Sequence, residues 1–117
     1  MIVTIKDLLL DEVTTSDLKN NYSIKDNIIR YIENDSVVTI EYYEDKLYLT
    51  NKGKTILDLY LEKGKKTSCK LYNDFGIIQM YCFCELLLNI KNSITFQYRL
   101  LQNDQVVTHK NVSIIIK

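Results

Sequence analysis

The sequence contains no proline, only three glycines, three cysteines and a single histidine in 117 residues. With so little glycine there is no glycine-rich loop, and a phosphate cradle is excluded. His109 is the sole imidazole. The cysteines, Cys69, Cys82 and Cys84, lack the four-ligand Cys-x2-4-Cys spacing of a structural zinc site. No metal or other cofactor is expected. An odd cysteine count with no sign of secretion points to reduced thiols in a cytoplasmic protein. A surplus of one charge is also missing. Fifteen basic residues balance fifteen acidic ones, which removes long-range attraction to nucleic acid or anionic membrane, and neither is an expected partner. No apolar run approaches the ~20 residues needed to span a bilayer. Met1 leads straight into a strand-like run, without the basic and apolar regions of a signal peptide. No nucleophile elbow, P-loop or metalloprotease helix motif occurs, and no enzyme is expected.

What is present is a folding composition. Hydrophobic residues make up 46% and charged residues 26%, which fits neither a disordered nor a membrane-embedded chain. The length suits a single domain over residues 1–117, able to bury roughly two thirds of its unfolded surface. Short β-branched and aromatic runs recur between turn signals at Asp26-Asn27, Asn34-Asp35, Asp45-Lys46, Lys52-Gly53, Lys63-Gly64, Asn73-Asp74, Asn89–Asn92 and Asn103-Asp104. This spacing marks an all-β fold of about nine or ten short strands. An antiparallel up-and-down barrel solves the edge problem by closing on itself, and about eight strands leave room for packed side chains or one small ligand. Leu8–Leu18 is ambiguous between a short helix and a strand that bends through a polar loop.

The stretch from Lys65 to Cys84 reads as a hairpin. A loop centred on Asp74 and Phe75, with Gly76 supplying positive φ, sets Cys69 opposite Met80 and brings the two more apolar faces together. A slip of one residue would set lysines against the apolar face. From Ser93 to Leu101, Ile94, Phe96, Tyr98 and Leu100 alternate with polar residues. Their partners should be Val112, Ile114 and Ile116, but a strict two-residue loop at Asn103-Asp104 would present His109, Asn111 and Ser113 instead. One extra residue, as a bulge or three-residue loop, is therefore expected near Gln105.

From about Asn27 onward the chain resembles the YwiB-like family, small bacterial proteins of unknown function with a calycin-type, lipocalin-like β-barrel. The matching pieces are Tyr31-Ile32-Glu33, the Lys52-Gly53-Lys54 turn, Phe75-Gly76, Tyr98 and the final H-K-N-V-S-I-I-I run. Asn51 stands where the family often has arginine, and Cys82 and Cys84 stand where threonines are common. The resemblance implies a barrel, a bacterial setting and a ligand cavity, and it carries no activity.

Each notable cluster has a structural reading beside its functional one. The cysteines are small core hydrophobes rather than zinc ligands. His109, beside Thr108, Lys110 and Asn111, reads as a solvent-facing strand residue rather than a haem ligand, which needs an apolar pocket. Tyr31 and Glu33 share a strand face; an inward Glu33 would either orient a ligand or plug the barrel. The nine tyrosines suit strand propensity and barrel rims better than a base-stacking platform. The expected function is a noncatalytic barrel for a small apolar or amphipathic ligand, with Tyr31, Glu33, Tyr42, Met80, Cys82, Phe96 and Tyr98 as pocket candidates. The alternative is an interaction module, for example a homodimer, using Tyr81 and Phe83 on the outer face.

Overall fold

A computed structural model describes residues 1–116, all of them in strands, turns or short connections with no helix. Eleven strands form one antiparallel sheet: β1 (Ile2–Asp7), β2 (Glu12–Asp17), β3 (Tyr22–Lys25), β4 (Ile28–Glu33), β5 (Ser36–Tyr42), β6 (Lys46–Lys52), β7 (Ile56–Glu62), β8 (Lys66–Asn73), β9 (Gly76–Ile90), β10 (Ser93–Gln102) and β11 (Gln105–Ile115). Their order is β2-β1-β11-β10-β9-β8-β7-β6-β5-β4-β3. Strands β3 to β11 therefore run as a meander, and the β1–β2 hairpin is stitched onto its last strand through pairs such as Ile2 with Ile115. The sheet curls round one core that includes Val3, Ile29, Ile40, Leu47, Leu61, Leu87, Ile94, Phe96 and Ile114.

The ambiguous stretch after β1 is a hairpin, not a helix. Asp7 Oδ1 accepts the backbone N–H groups of Leu9 and Leu10 at 3.1 Å each. This Asx-type turn offers the backbone an alternative to helical bonding. Strands β2 and β3 form the two edges, and no ladder joins them among the described residues. Strand β3 pairs only with Ile28–Tyr31 of β4. Beyond it Glu33 faces β2, where Ser16 Oγ donates to Glu33 Oε1 at 2.7 Å.

Turn chemistry sets the registers. Asn34-Asp35 and Asn103-Asp104 have φ of 50° and 63°, and 52° and 64°. These are two-residue turns of the hairpin-compatible mirror type, which Asn and Asp tolerate. In the central hairpin Asn73 pairs with Gly76 and Cys69 with Met80, as the alternation requires, and Gly76 has φ 131°. The extra residue expected near Gln105 is Val107. Leu101 pairs with Val106 but Leu100 with Thr108, and from there Phe96 meets Val112 and Ile94 meets Ile114. The two-residue turn is kept, and the bulge alone restores the apolar face.

A second bulge lies in β9. Gln97 pairs with Leu86 and Tyr98 with Cys84, which leaves Glu85 as the extra residue. Between β7 and β8 the ladder stops after Leu59 and Cys69. The freed Tyr60 carbonyl accepts from Thr67 Oγ1, and Cys82 Sγ donates to it at 3.1 Å. Cys82 thus supplies a weak donor where the sheet parts as well as filling space.

Candidate functional site

The turns after β1, β4, β6, β8 and β10 all lie at one end of the barrel, because successive strands alternate in direction. At that end the inward-facing residues become polar. Strand β1 passes from Val3 and Ile5 to Asp7, β4 from Ile29 and Tyr31 to Glu33, β6 from Leu47 and Leu49 to Asn51, and β11 from Ile114 and Val112 to Lys110. All but the deepest of these border a cavity of about 360 Å³. Ile5, Val38, Leu49, Leu57 and Val112 give it an apolar wall. Asp7, Glu12, Thr14, Glu33, Ser36 and Lys110 bring polar groups to the mouth. A second depression shares Asn34, Ser36, Asn51 and Leu57 with it. The volume falls in the lower part of the range of small-molecule pockets.

Tyr31 and Tyr98 stand at the inner wall, 4% and 5% exposed. Among the described residues no protein group hydrogen-bonds either hydroxyl. Burial drives both phenols far above their usual range. The Glu33 carboxylate adds to the shift at Tyr31, and Cys69, Tyr31, Cys82 and Asp7 add to it at Tyr98. Both are therefore neutral hydroxyls, each able to donate one hydrogen bond and to accept others.

Of the residues the sequence singled out, Tyr31, Glu33 and Tyr98 come together on the cavity wall. Met80, Cys82 and Phe96 lie in the packed core, and Tyr42 lies at the opposite end, where its backbone N–H bonds to Asn27 O. None of these four borders the cavity. The contributions of β1, β2 and β11 were missed. Asp7 and Glu12 flank a leucine-rich segment with two local readings, and only the hairpin turns both inward. Lys110 could have been found from the inward set of β11, once the bulge gave its phase.

The three cysteines are buried and unpaired. Burial pushes the Cys69 thiol up to about 12, with the nearby Cys82 and Asp58 adding to the shift. His109 lies on the outer wall opposite Arg99. Its Nε2 is 2.5 Å from Glu85 Oε1, and Arg99 Nε is 3.7 Å from Glu85 Oε2. Gln97 Nε2 donates to Glu85 Oε1 at 3.3 Å. Partial burial would raise the Glu85 carboxyl, but Gln97, His109 and Arg99 outweigh it and hold the group below the usual carboxylate range. The β9 bulge presents Glu85 to this cluster, as bulges re-aim side chains. Elsewhere on the outer wall Tyr48 stacks on Tyr60 with ring centroids 4.6 Å apart. Tyr81 is half exposed with Lys66 Nζ over its ring, and Phe83 lies under Arg99.

No curated protein matches the chain. Among solved structures, the crystal structure of the ywiB protein from Bacillus subtilis superposes with a TM-score of 0.68 at 15% identity, covering 97% of this chain and 84% of that one. At that identity the likeness concerns the fold, and it supports the barrel-like architecture. The sequence also matches a domain family of unknown function, DUF1934, over residues 4–114. That match takes in the β1–β2 hairpin, which lies outside the resemblance legible from Asn27 onward. With nearly its whole length matched, the chain belongs to the DUF1934 family, and its fold is that of the YwiB protein.

Proposed function

We propose that the protein is a noncatalytic barrel that binds a small amphipathic molecule in its open end. The observation that carries this reading is the cavity, with its aliphatic wall, its polar mouth and the hydroxyls of two largely buried tyrosines, which have no protein partner and open onto it. A few convergent polar groups on an apolar wall are what fix a small ligand in place. Neither hydroxyl oxygen is sealed from solvent, so both open onto the cavity, where water or a ligand can bond them. The noncatalytic part rests on where the carboxylate–imidazole pair lies. Glu85 and His109 stand on the convex wall and border none of the described cavities. Three buried free thiols fit a reducing, cytoplasmic setting.

A second reading, an interaction surface such as a homodimer face, has its own support. Tyr81 and Ile77 are exposed on the outer side of β9, at 49% and 63%. Apolar groups gathered on an open strand face are a common feature of interfaces.

Native mass spectrometry of freshly purified protein, paired with a denatured spectrum, tests both. Extra mass that vanishes on denaturation is the expected result. A clean dimer without extra mass selects the surface reading, and a clean apo monomer counts against both.

A further inference from the structure

We propose that the molecule taken by this cavity presents a cationic amine to the mouth and an apolar body to the wall. The inference rests on the cavity-binding reading above and adds the chemical class of the ligand. Asp7, Glu12 and Glu33 bring three carboxylates to the mouth, against the single ammonium of Lys110. None of the four has an oppositely charged partner within 4.0 Å among the described residues. The Asp7 carboxylate is fixed by the turn N–H groups of Leu9 and Leu10, and the Glu33 carboxylate by Ser16, so both are held in place without being neutralised.

An acidic rim alone is usually a solvated surface. The second observation is at the inner wall, where Tyr31 and Tyr98 are more than nine-tenths buried and keep hydroxyls with no protein partner. Phenol oxygens accept hydrogen bonds from an ammonium, and the aromatic ring attracts cations. A carboxylate or phosphate would meet the opposite conditions. Among the described residues Lys110 is the only cationic side chain on the wall, and three like charges oppose entry.

Three probes with one phenyl body and different head groups separate the outcomes: 2-phenylethylamine, 2-phenylethanol and 3-phenylpropanoate. Each is titrated into isotope-labelled protein at low ionic strength and followed by amide chemical shifts. The amine is expected to shift residues around Tyr31, Tyr98 and Val112 and to bind about tenfold or more tightly than either analogue, with the preference shrinking in high salt. Glu12→Gln, at a carboxylate with no partner among the described residues, and Glu33→Gln should each weaken the amine about threefold to tenfold and leave the alcohol unchanged. If the alcohol or the carboxylate binds the same residues as tightly as the amine, the amine assignment fails while the cavity reading stands. If no probe shifts those residues, both fail.

Discussion

Ser16 Oγ donates to Glu33 Oε1 across the seam where β2 and β4 approach without a ladder. Each residue belongs to a different end of the sheet order, so this bond links the sheet to itself. A double-mutant cycle with Ser16→Ala and Glu33→Ala should give a coupling of about 1.5 kcal/mol in urea unfolding, the low end for a hydrogen bond to a charged group, as fits a partly buried pair. Purely additive losses would mean that other contacts hold the seam.

Deleting Val107 should leave the protein folded. The bulge exists because a two-residue turn would otherwise put the wrong face of β11 inward, and Val107 is the residue that corrects the phase. Without it, Leu100 can still pair with Thr108 and every pair below is unchanged. A loss of no more than about 2 kcal/mol is expected in thermal or urea unfolding, with the Phe96–Val112 contact retained by NMR. An unfolded product would mean that the bulge itself, rather than the phase it sets, holds the hairpin.

Two phenylalanines should behave in opposite ways. Phe96 is 0% exposed and lies in the core, whereas Phe75 is 98% exposed at the tip of the β8–β9 turn. Phe96→Ala should cost about 3–5 kcal/mol of stability, and Phe75→Ala should stay within about 0.5 kcal/mol. A large loss at Phe75, measured by the same denaturation, would show that the tip is covered in solution.

The buried thiols make an alkaline prediction. Folded Cys69 keeps its proton up to about 12, against an ordinary value of 9.0. Between those values the unfolded chain binds fewer protons than the folded one, so stability falls as pH rises; below about 9 the contribution is constant. Tyr31 and Tyr98, raised from 10.0, act in the same direction at higher pH. The urea midpoint should therefore hold from neutral pH to about 9 and then drop, and the thiol reagent of Ellman should react with all three cysteines only as fast as the protein opens. A fast-reacting thiol in the folded protein would contradict their burial.

Much of this fold was written in local patterns. Period-two alternation gave the faces of β10 and β11 and hence the need for an added residue, and Asn-Asp pairs gave the hairpin turns. The hairpin of β8 and β9 followed from the position of one glycine. The pocket was harder to read, because alternation tells inside from outside but not one end from the other. Met80, Cys82 and Phe96 share the inward face with Tyr98, yet only Tyr98 stands at the open end. Which strand ends converge depends on how far the sheet curls. The β1–β2 hairpin supplied the rest of the mouth, and its leucines gave two local readings that only the long-range pairing with β11 separates.

That pairing also governs how the chain can assemble during synthesis. The β1–β2 hairpin is made before its partner, β11, with the whole of β3 to β10 between them. Until then the meander grows with Ile114 and its neighbours missing from the core, and one edge of the hairpin stays unsatisfied. Contacts this distant in sequence slow folding, since a long loop must close before they form. They also bring Ile2 beside Ile115, so joining the two ends and opening the chain at an exposed turn such as Asp74-Phe75 should yield a permutant that makes the same barrel in a different order.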